Sequence, residues 1–270
     1  MKTVRLAPAT LAVALMAALS PLSARIISVP SPGISTISEA LARSRAGDTV
    51  MVADGVYRER IMMTHGVALI ARSRFKAVLD GGGRGTVVTL GKNNYVSGFE
   101  IRNGTFGIFS NGAGNFIQSC RIIGNWQTGI VTVRHLPKVE DNIIVFNRSS
   151  GIQGWDVRST DASINHNTIA YNGNHGIALG GRSNILIENN VLANNERFGM
   201  KVLAEAENIR VTSNNFYNNL RQPGGIPEGN YSFDPAFMAP RTRLDFASDP
   251  RLCCKIKGTD NENLGTRLIY

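Results

Sequence analysis

Cysteine is scarce in this chain, three in 270 residues, which removes a disulfide framework from any account of its stability. Cys120 stands alone, Cys253 and Cys254 adjoin, and none has the spacing of metal ligands. A bridge from the tail to Cys120 would need an oxidising compartment. Charged residues are few, at 18%, and no apolar run beyond residue 24 is long enough to cross a bilayer. No Asp-Asp pair occurs, so hydrolysis by clustered carboxylates has no obvious seat. Gly81-Gly82-Gly83 is followed by neither Lys-Ser nor Lys-Thr, which favours a turn over a phosphate cradle.

What is present begins with an export leader at residues 1–24. Lys2 and Arg5 precede an apolar run from Leu11 to Leu19, and Ser20 to Ala24 offers small residues for cleavage. The expected location is the periplasm or the exterior, with no membrane span after the leader is removed. The remaining 27 basic and 20 acidic side chains leave a charge of +7, which attracts polyanions. In an exported protein that points to an acidic polysaccharide rather than to nucleic acid.

The strongest signal is periodic. Asn103, Asn125, Asn147, Asn172 and Asn195 each stand four residues before a glycine, and Asn219 continues the series. Steps of 22, 22, 25, 23 and 24 residues mean one solenoid turn per repeat. A second series, Cys120, Asn142, Asn167, Asn190 and Asn214, runs five residues ahead of the first. Apolar residues alternate around it, as in Ile185, Ile187 and Leu192, and such alternation marks strands bent at the asparagines. Each coil reads strand, Asn turn, short strand, second Asn turn, Gly-Ile strand and variable loop. Stacked about 4.8 Å apart, like residues meet, and buried asparagines bond from coil to coil.

These Asn-x-Ile, Asn and Gly-Ile coils between about 94 and 219 resemble the right-handed parallel β-helix superfamily, the pectate-lyase-like fold. The resemblance implies an all-β, single-stranded solenoid of about eight or nine coils. Residues 34–59 resemble its N-terminal entry: a short helix with Ile37, Ala40 and Leu41 on one face, then a strand Thr49–Val52 starting the coils. The helix and the tail would cover stack ends that otherwise recruit other chains. The chain then divides into a leader (1–24), a capped β-helix (25–225) and an irregular tail (226–270). The superfamily hosts lyases, hydrolases, epimerases and binding proteins, so fold does not select activity. It also includes a periplasmic copper-handling accessory protein, which keeps histidine ligation in view.

Chemistry would sit on lanes of outward side chains. With the Ile of Gly-Ile inward, one lane reads Phe109, Val131, Gln153, Ala178, Lys201, and another Asn111, Val133, Trp155, Gly180, Leu203. Trp155 on such a lane could stack on a sugar ring, with Gln153 and Asp156 beside it. The loop from Trp155 to Asp161 is the longest in the repeat, and solenoid insertions collect on binding faces. Arg134, His135 and Lys138 occupy the same loop one coil earlier, and Arg148, His175 and Arg197 lie on the opposite border of the strand. A basic groove suits a uronic acid polymer, because β-elimination requires the carboxylate beside the reacting proton to be neutralised. Arg134, Arg158 and Arg197 would hold carboxylates. Lys201 is the first choice of base, with His135 or His175 second.

No cofactor is called for, although bound Ca²⁺ could also neutralise a carboxylate. Glu140 and Glu188 share a lane but stand two coils, about 9.6 Å, apart, too far to form a carboxylate cage. The segments that mark pectin methylesterases and alginate C5-epimerases are absent, and Asn174-His175-Gly176 lacks the first glycine of the polygalacturonase Gly-His-Gly. Two readings remain: a lyase-type enzyme acting on an acidic polysaccharide, and a non-catalytic polysaccharide-binding or envelope protein with the same surface.

Overall fold

The computed structural model describes residues 23–160, 162–203, 207–220, 225–242, 244–248 and 258–267. Nearly all of the expected leader, Asp161, and the Cys253-Cys254 pair lie outside them. Three parallel sheets wind about one core, with nine strands in the first, eight in the second and seven in the third. One coil runs Phe116–Gln118 in the first sheet, Arg121–Ile123 in the second and Ile130–Val133 in the third; Lys138–Glu140 then opens the next. The chain is therefore a parallel β-solenoid, as its periodicity implies. Ile108, Ile130, Ile152, Ile177 and Met200 stand in register and are at most 2% exposed.

The glycine before each of these residues has a steric cause. A Cβ on Gly151 would come within 2.8 Å of the Gly176 carbonyl oxygen and 3.1 Å of the Asn172 amide nitrogen. Only a residue without a side chain lets the chain pass the asparagine corner this closely.

Both asparagine series form ladders. Asn142 Nδ2 and its backbone N–H both donate to Asn167 Oδ1, and the pattern repeats to Asn190 and Asn214. This ladder lies between the first and second sheets; Asn125, Asn147, Asn172, Asn195 and Asn219 build its twin between the second and third. Burying an amide costs free energy unless all its bonds are made, and stacking identical coils makes them. Two details differ from the sequence reading. Asn103 is not a rung: the Gly104 N–H bonds to Asn125 Oδ1, while Asn103 sits one residue earlier with φ of 57° and donates to Asp80. The first ladder also extends past Asn214 to Asn230, a residue of the tail.

Helix Ile37–Ala42 closes the N-terminal end, with Thr36 and Glu39 in a reciprocal capping box and Ile37, Ala40 and Leu41 buried. Thr49–Val52 is the second strand rather than the first, since Ile26–Val29 pairs ahead of it. The tail does more than cover the far end. Its antiparallel strands Phe237–Ala239 and Asp245–Ser248 lie over the outer face of the second sheet, where Phe246 packs with Ile143, Val145, Ala170, Val191 and Ala193. That explains why Ile143–Val145 and Val191–Ala193 are apolar at every position: both faces are covered. Residues 258–267 then strap the corner between the first and second sheets, with Gly265 N–H donating to the Asn189 carbonyl.

Candidate functional site

With the second sheet covered, the outer face of the third is the open surface that carries the predicted residues. Its central lane is in register as expected: Phe109 over Val131, then Gln153, Ala178 and Lys201. Val131 and Ala178 are only 2% exposed despite facing outward. Gln153 and Lys201 are half-buried and Trp155 is exposed. Gln153 and Lys201 flank Ala178 two coils apart, about 9.6 Å.

One border of this face is built by the residues that precede Gly-Ile in each coil: Thr128, Ser150, His175 and Phe198. Thr128 Oγ1 donates to Gln153 Oε1 of the next coil at 3.4 Å, a long contact that ties this border to the central lane. His175 is buried and lies against the Phe198 ring at 5.4 Å between centroids. Its Nδ1 accepts from the Phe198 N–H at 3.3 Å, so a neutral ring carries its proton on Nε2. Burial foremost, then the charges of Lys201 and Arg197, hold the His175 pKa below the ordinary imidazole range. The sequence pairs His175 with Lys201 and Arg197 only as neighbours in charge; the structure makes the three one electrostatic unit. Ser150 Oγ and Asn174 Oδ1 on the same border are buried and have no hydrogen-bond partner among the described residues. A buried polar atom without a partner is costly, and here two of them adjoin a neutral imidazole and two cations.

The other predicted residues gather at the opposite border, beyond the strand Ile152–Trp155, about 10 Å away. Arg134 adopts φ of 67°; its N–H donates to the Trp155 carbonyl and its own carbonyl accepts from the Arg158 N–H. Arg158 and Asp156 pair with each other at 3.0 Å, both exposed. His135 is half-buried, its N–H donating to the Val133 carbonyl. The described part of the long loop, through Thr160, does not arch over the face. Val157 is 1% exposed, and Ser159 Oγ accepts from the Leu136 N–H at 2.8 Å, so the loop lies back along the stack. Lys201, His175 and Arg197 thus form one group and Arg134, His135, Trp155, Asp156 and Arg158 a second, with Gln153 between them. Ser150 and Phe198 escaped the sequence reading, although aligning the repeats would have put them in one lane with His175.

The remaining histidines and the described cysteine are engaged elsewhere. His166 is fully buried between the Gly265 carbonyl at 3.2 Å and Asp260 at 2.6 Å. His65 Nδ1 accepts from the Lys92 N–H. Cys120 is a buried free thiol whose pKa burial pushes up to about 12. Among the described residues, no three His, Cys, Asp or Glu side chains come together as metal ligands.

The family described as "Periplasmic copper-binding protein (NosD)" matches residues 45–228. The pectate lyase Pel9A is similar in structure, with 15% identity over 93% of this chain and 94% of that one and a TM-score of 0.58. The A-module of mannuronan C-5 epimerase AlgE4 from Azotobacter vinelandii shares 17% identity over 67% of this chain and 66% of that one, with a TM-score of 0.52. At such identities the likeness shows the fold alone. No curated protein matches the sequence. No helix among the described residues is long and apolar enough to cross a membrane.

Proposed function

We propose that this chain, which belongs to the NosD family of periplasmic β-helix proteins, holds an acidic polysaccharide across its third sheet and cleaves it by β-elimination. The observation that carries this reading is the group at one border of that sheet: neutral His175 beside Lys201 and Arg197, with Ser150 and Asn174 unpartnered next to it. Arg197 neutralises the substrate carboxylate. Lys201 in its unprotonated form takes the proton from the adjacent carbon; the electron pair left behind forms the carbon–carbon double bond as the glycosidic C–O bond breaks, and the departing oxygen takes a proton from solvent. His175, as a neutral Nε2–H donor, bonds to the departing oxygen. Gln153 and, at the far border, Trp155 with Arg134 hold neighbouring sugar units. Asp156 and Arg158, paired with each other, supply a hydrogen-bonding rim, and His135 stands behind them as a second candidate base.

Copper, which the family description names, does not fit the described residues. It favours imidazole and sulfur donors, yet His166 is held by Asp260 and Gly265, Cys120 is a buried thiol, and no three His, Cys, Asp or Glu side chains among the described residues come together. Among the described residues no three carboxylates come together, and this reading gives carboxylate neutralisation to arginine.

The test is ultraviolet absorbance of the unsaturated product when the purified protein is offered pectate, alginate and other polyuronates, with and without Ca²⁺. Lys201→Ala is expected to lower the rate by about 100-fold or more, the range for losing a general base, while still binding the polymer. Absence of product on every polyuronate would sink the elimination mechanism; retained binding would then identify a non-catalytic polysaccharide-binding protein.

A further inference from the structure

We infer that the corner between the second and third sheets carries a second ligand site, which takes a carboxylate-bearing sugar where the tail hairpin overhangs the solenoid. Phe146, Tyr171, Asn194 and Asn218 occupy one lane there, each immediately before a ladder asparagine, with φ of 56°, 55°, 56° and 49°. The first two rings stack at 5.2 Å and are roofed by Phe237 and Phe246 of the hairpin. Past the hairpin the lane turns polar, with Asn218 Nδ2 donating to Asn194 Oδ1 at 2.6 Å.

Two adjoining, largely open clefts of about 440 and 360 Å³ lie at this change, sharing Tyr171, Asn194, Glu196 and Arg241 as walls. Each falls in the size range of small-ligand pockets. Their charged groups are not paired off. Arg241 lies over the Tyr171 ring at 4.9 Å and Arg148 over the Trp126 ring at 3.8 Å. Among the described residues neither arginine forms an ion pair, nor does Glu196. A guanidinium laid flat on a ring keeps its N–H edge free for a carboxylate. The Asn194 amide, the Tyr171 hydroxyl and Glu196 supply the mixed donors and acceptors that sugar hydroxyls need. A polyphosphate or nucleic acid backbone would bring its charge against Glu196, which favours a sugar acid.

This site adjoins the group around His175 on the side of Asn174 and Arg197 and shares no lining residue with it. It rests on the preceding reading only for the choice of polyuronate as probe. The chain has two tryptophans, and each stands at one of the two sites. In Trp155→Phe, the fluorescence of Trp126 reports the corner; in Trp126→Phe, Trp155 reports the third sheet.

Titration of the full chain with short oligogalacturonates and oligomannuronates is expected to change Trp126 emission, whereas their carboxyl-reduced counterparts are not. Arg241→Ala should weaken that response at least tenfold. Asn194→Gly, which accepts the positive φ and lies on the solenoid itself, should weaken it severalfold should loss of Arg241 loosen the hairpin. A silent Trp126, an equal response to neutral sugars, or indifference to both substitutions overturns the inference. Trp155 judges the third sheet separately: its response should be lost in Arg134→Ala and kept in Lys201→Ala, and its silence beside a responding Trp126 would overturn the earlier proposal and leave this one standing.

Discussion

Two corners of this solenoid are built alike and treated differently by the rest of the chain. At each, a residue with positive φ precedes a buried asparagine: Asp141, His166 and Asn189 at the first corner, Phe146, Tyr171 and Asn194 at the second. The ladders have the same bonding scheme. At the first corner, residues 258–267 engage the exposed lane side chain by side chain. Arg267 bonds to Asp141 and Glu140, His166 to Asp260, and Asn189 to Thr259. At the second, among the described residues, the hairpin covers Phe146 and Tyr171 and leaves Asn194, Glu196 and Arg148 around an open groove. A repeating fold thus makes two equivalent lanes, and non-repeating chain decides which one is closed.

The largest effect expected from breaking this comparison lies in the ladders. Asn167→Ala removes an oxygen that serves two donors of Asn142 and an amide that serves three carbonyl oxygens. Asn172→Ala removes the same oxygen pair and two amide bonds. At about 1 kcal/mol per bond, with a further cost for buried donors left unmet, each substitution should cost roughly 3–5 kcal/mol, Asn167→Ala the more. Chemical denaturation midpoints would check this; equal stability of either variant and the parent would mean that the ladders are ornamental.

A smaller effect is expected at the strap. Arg267→Ala should cost about 1 kcal/mol, because this ion pair is partly exposed, and should raise the rate of proteolysis within residues 258–267 without touching the open groove. Acid should act on the same strap, at Asp260 and His166. Burial pushes the Asp260 carboxyl up, but hydrogen bonds from His166 and the Glu262 backbone outweigh it, holding its pKa below the ordinary range. A depressed folded pKa stabilises the native state above the unfolded value of about 3.9. That stabilisation is lost as pH falls through the still lower folded value. Protection of the strap in hydrogen exchange should therefore persist at pH 5 and fall only in stronger acid; loss near neutrality would place the control elsewhere.

The smallest expected change is spectroscopic. Lys201→Met removes one of the two charges that depress His175, so the imidazole pKa should rise toward its ordinary value, and NMR titration of the ring would show it. An unmoved titration would dissolve the electrostatic unit on the third sheet.

Much of this architecture is legible in the sequence because coil-to-coil contacts recur at nearly constant separation. Asn142 bonds to Asn167 and Asn167 to Asn190 at separations of 25 and 23 residues, and a pattern repeated five times identifies itself. The outward direction of Gln153, Trp155 and Lys201 follows from the same count. The Asn103 rung was misplaced for a related reason. Ile108 pairs with Ile130 at a step of 22, but Ile101 pairs with Ile122 at 21, so the turn before Gly107 is one residue shorter than its successors and Gly104, not Asn103, falls in the asparagine position. The continuous apolar runs Ile143–Val145 and Val191–Ala193 also hinted that something must cover the second sheet, without naming the cover.

The sequence alone determined the coil, its three strands and its two asparagine corners, because the contacts that build them lie one repeat apart and their chemistry is copied from coil to coil. Only the tertiary structure decided which lanes face solvent. Its deciding contacts, such as that between His166 and the Gly265 carbonyl at a separation of 99 residues, occur once. A single long-range contact leaves no period in the sequence, yet here it separates a sealed corner from one open to a ligand.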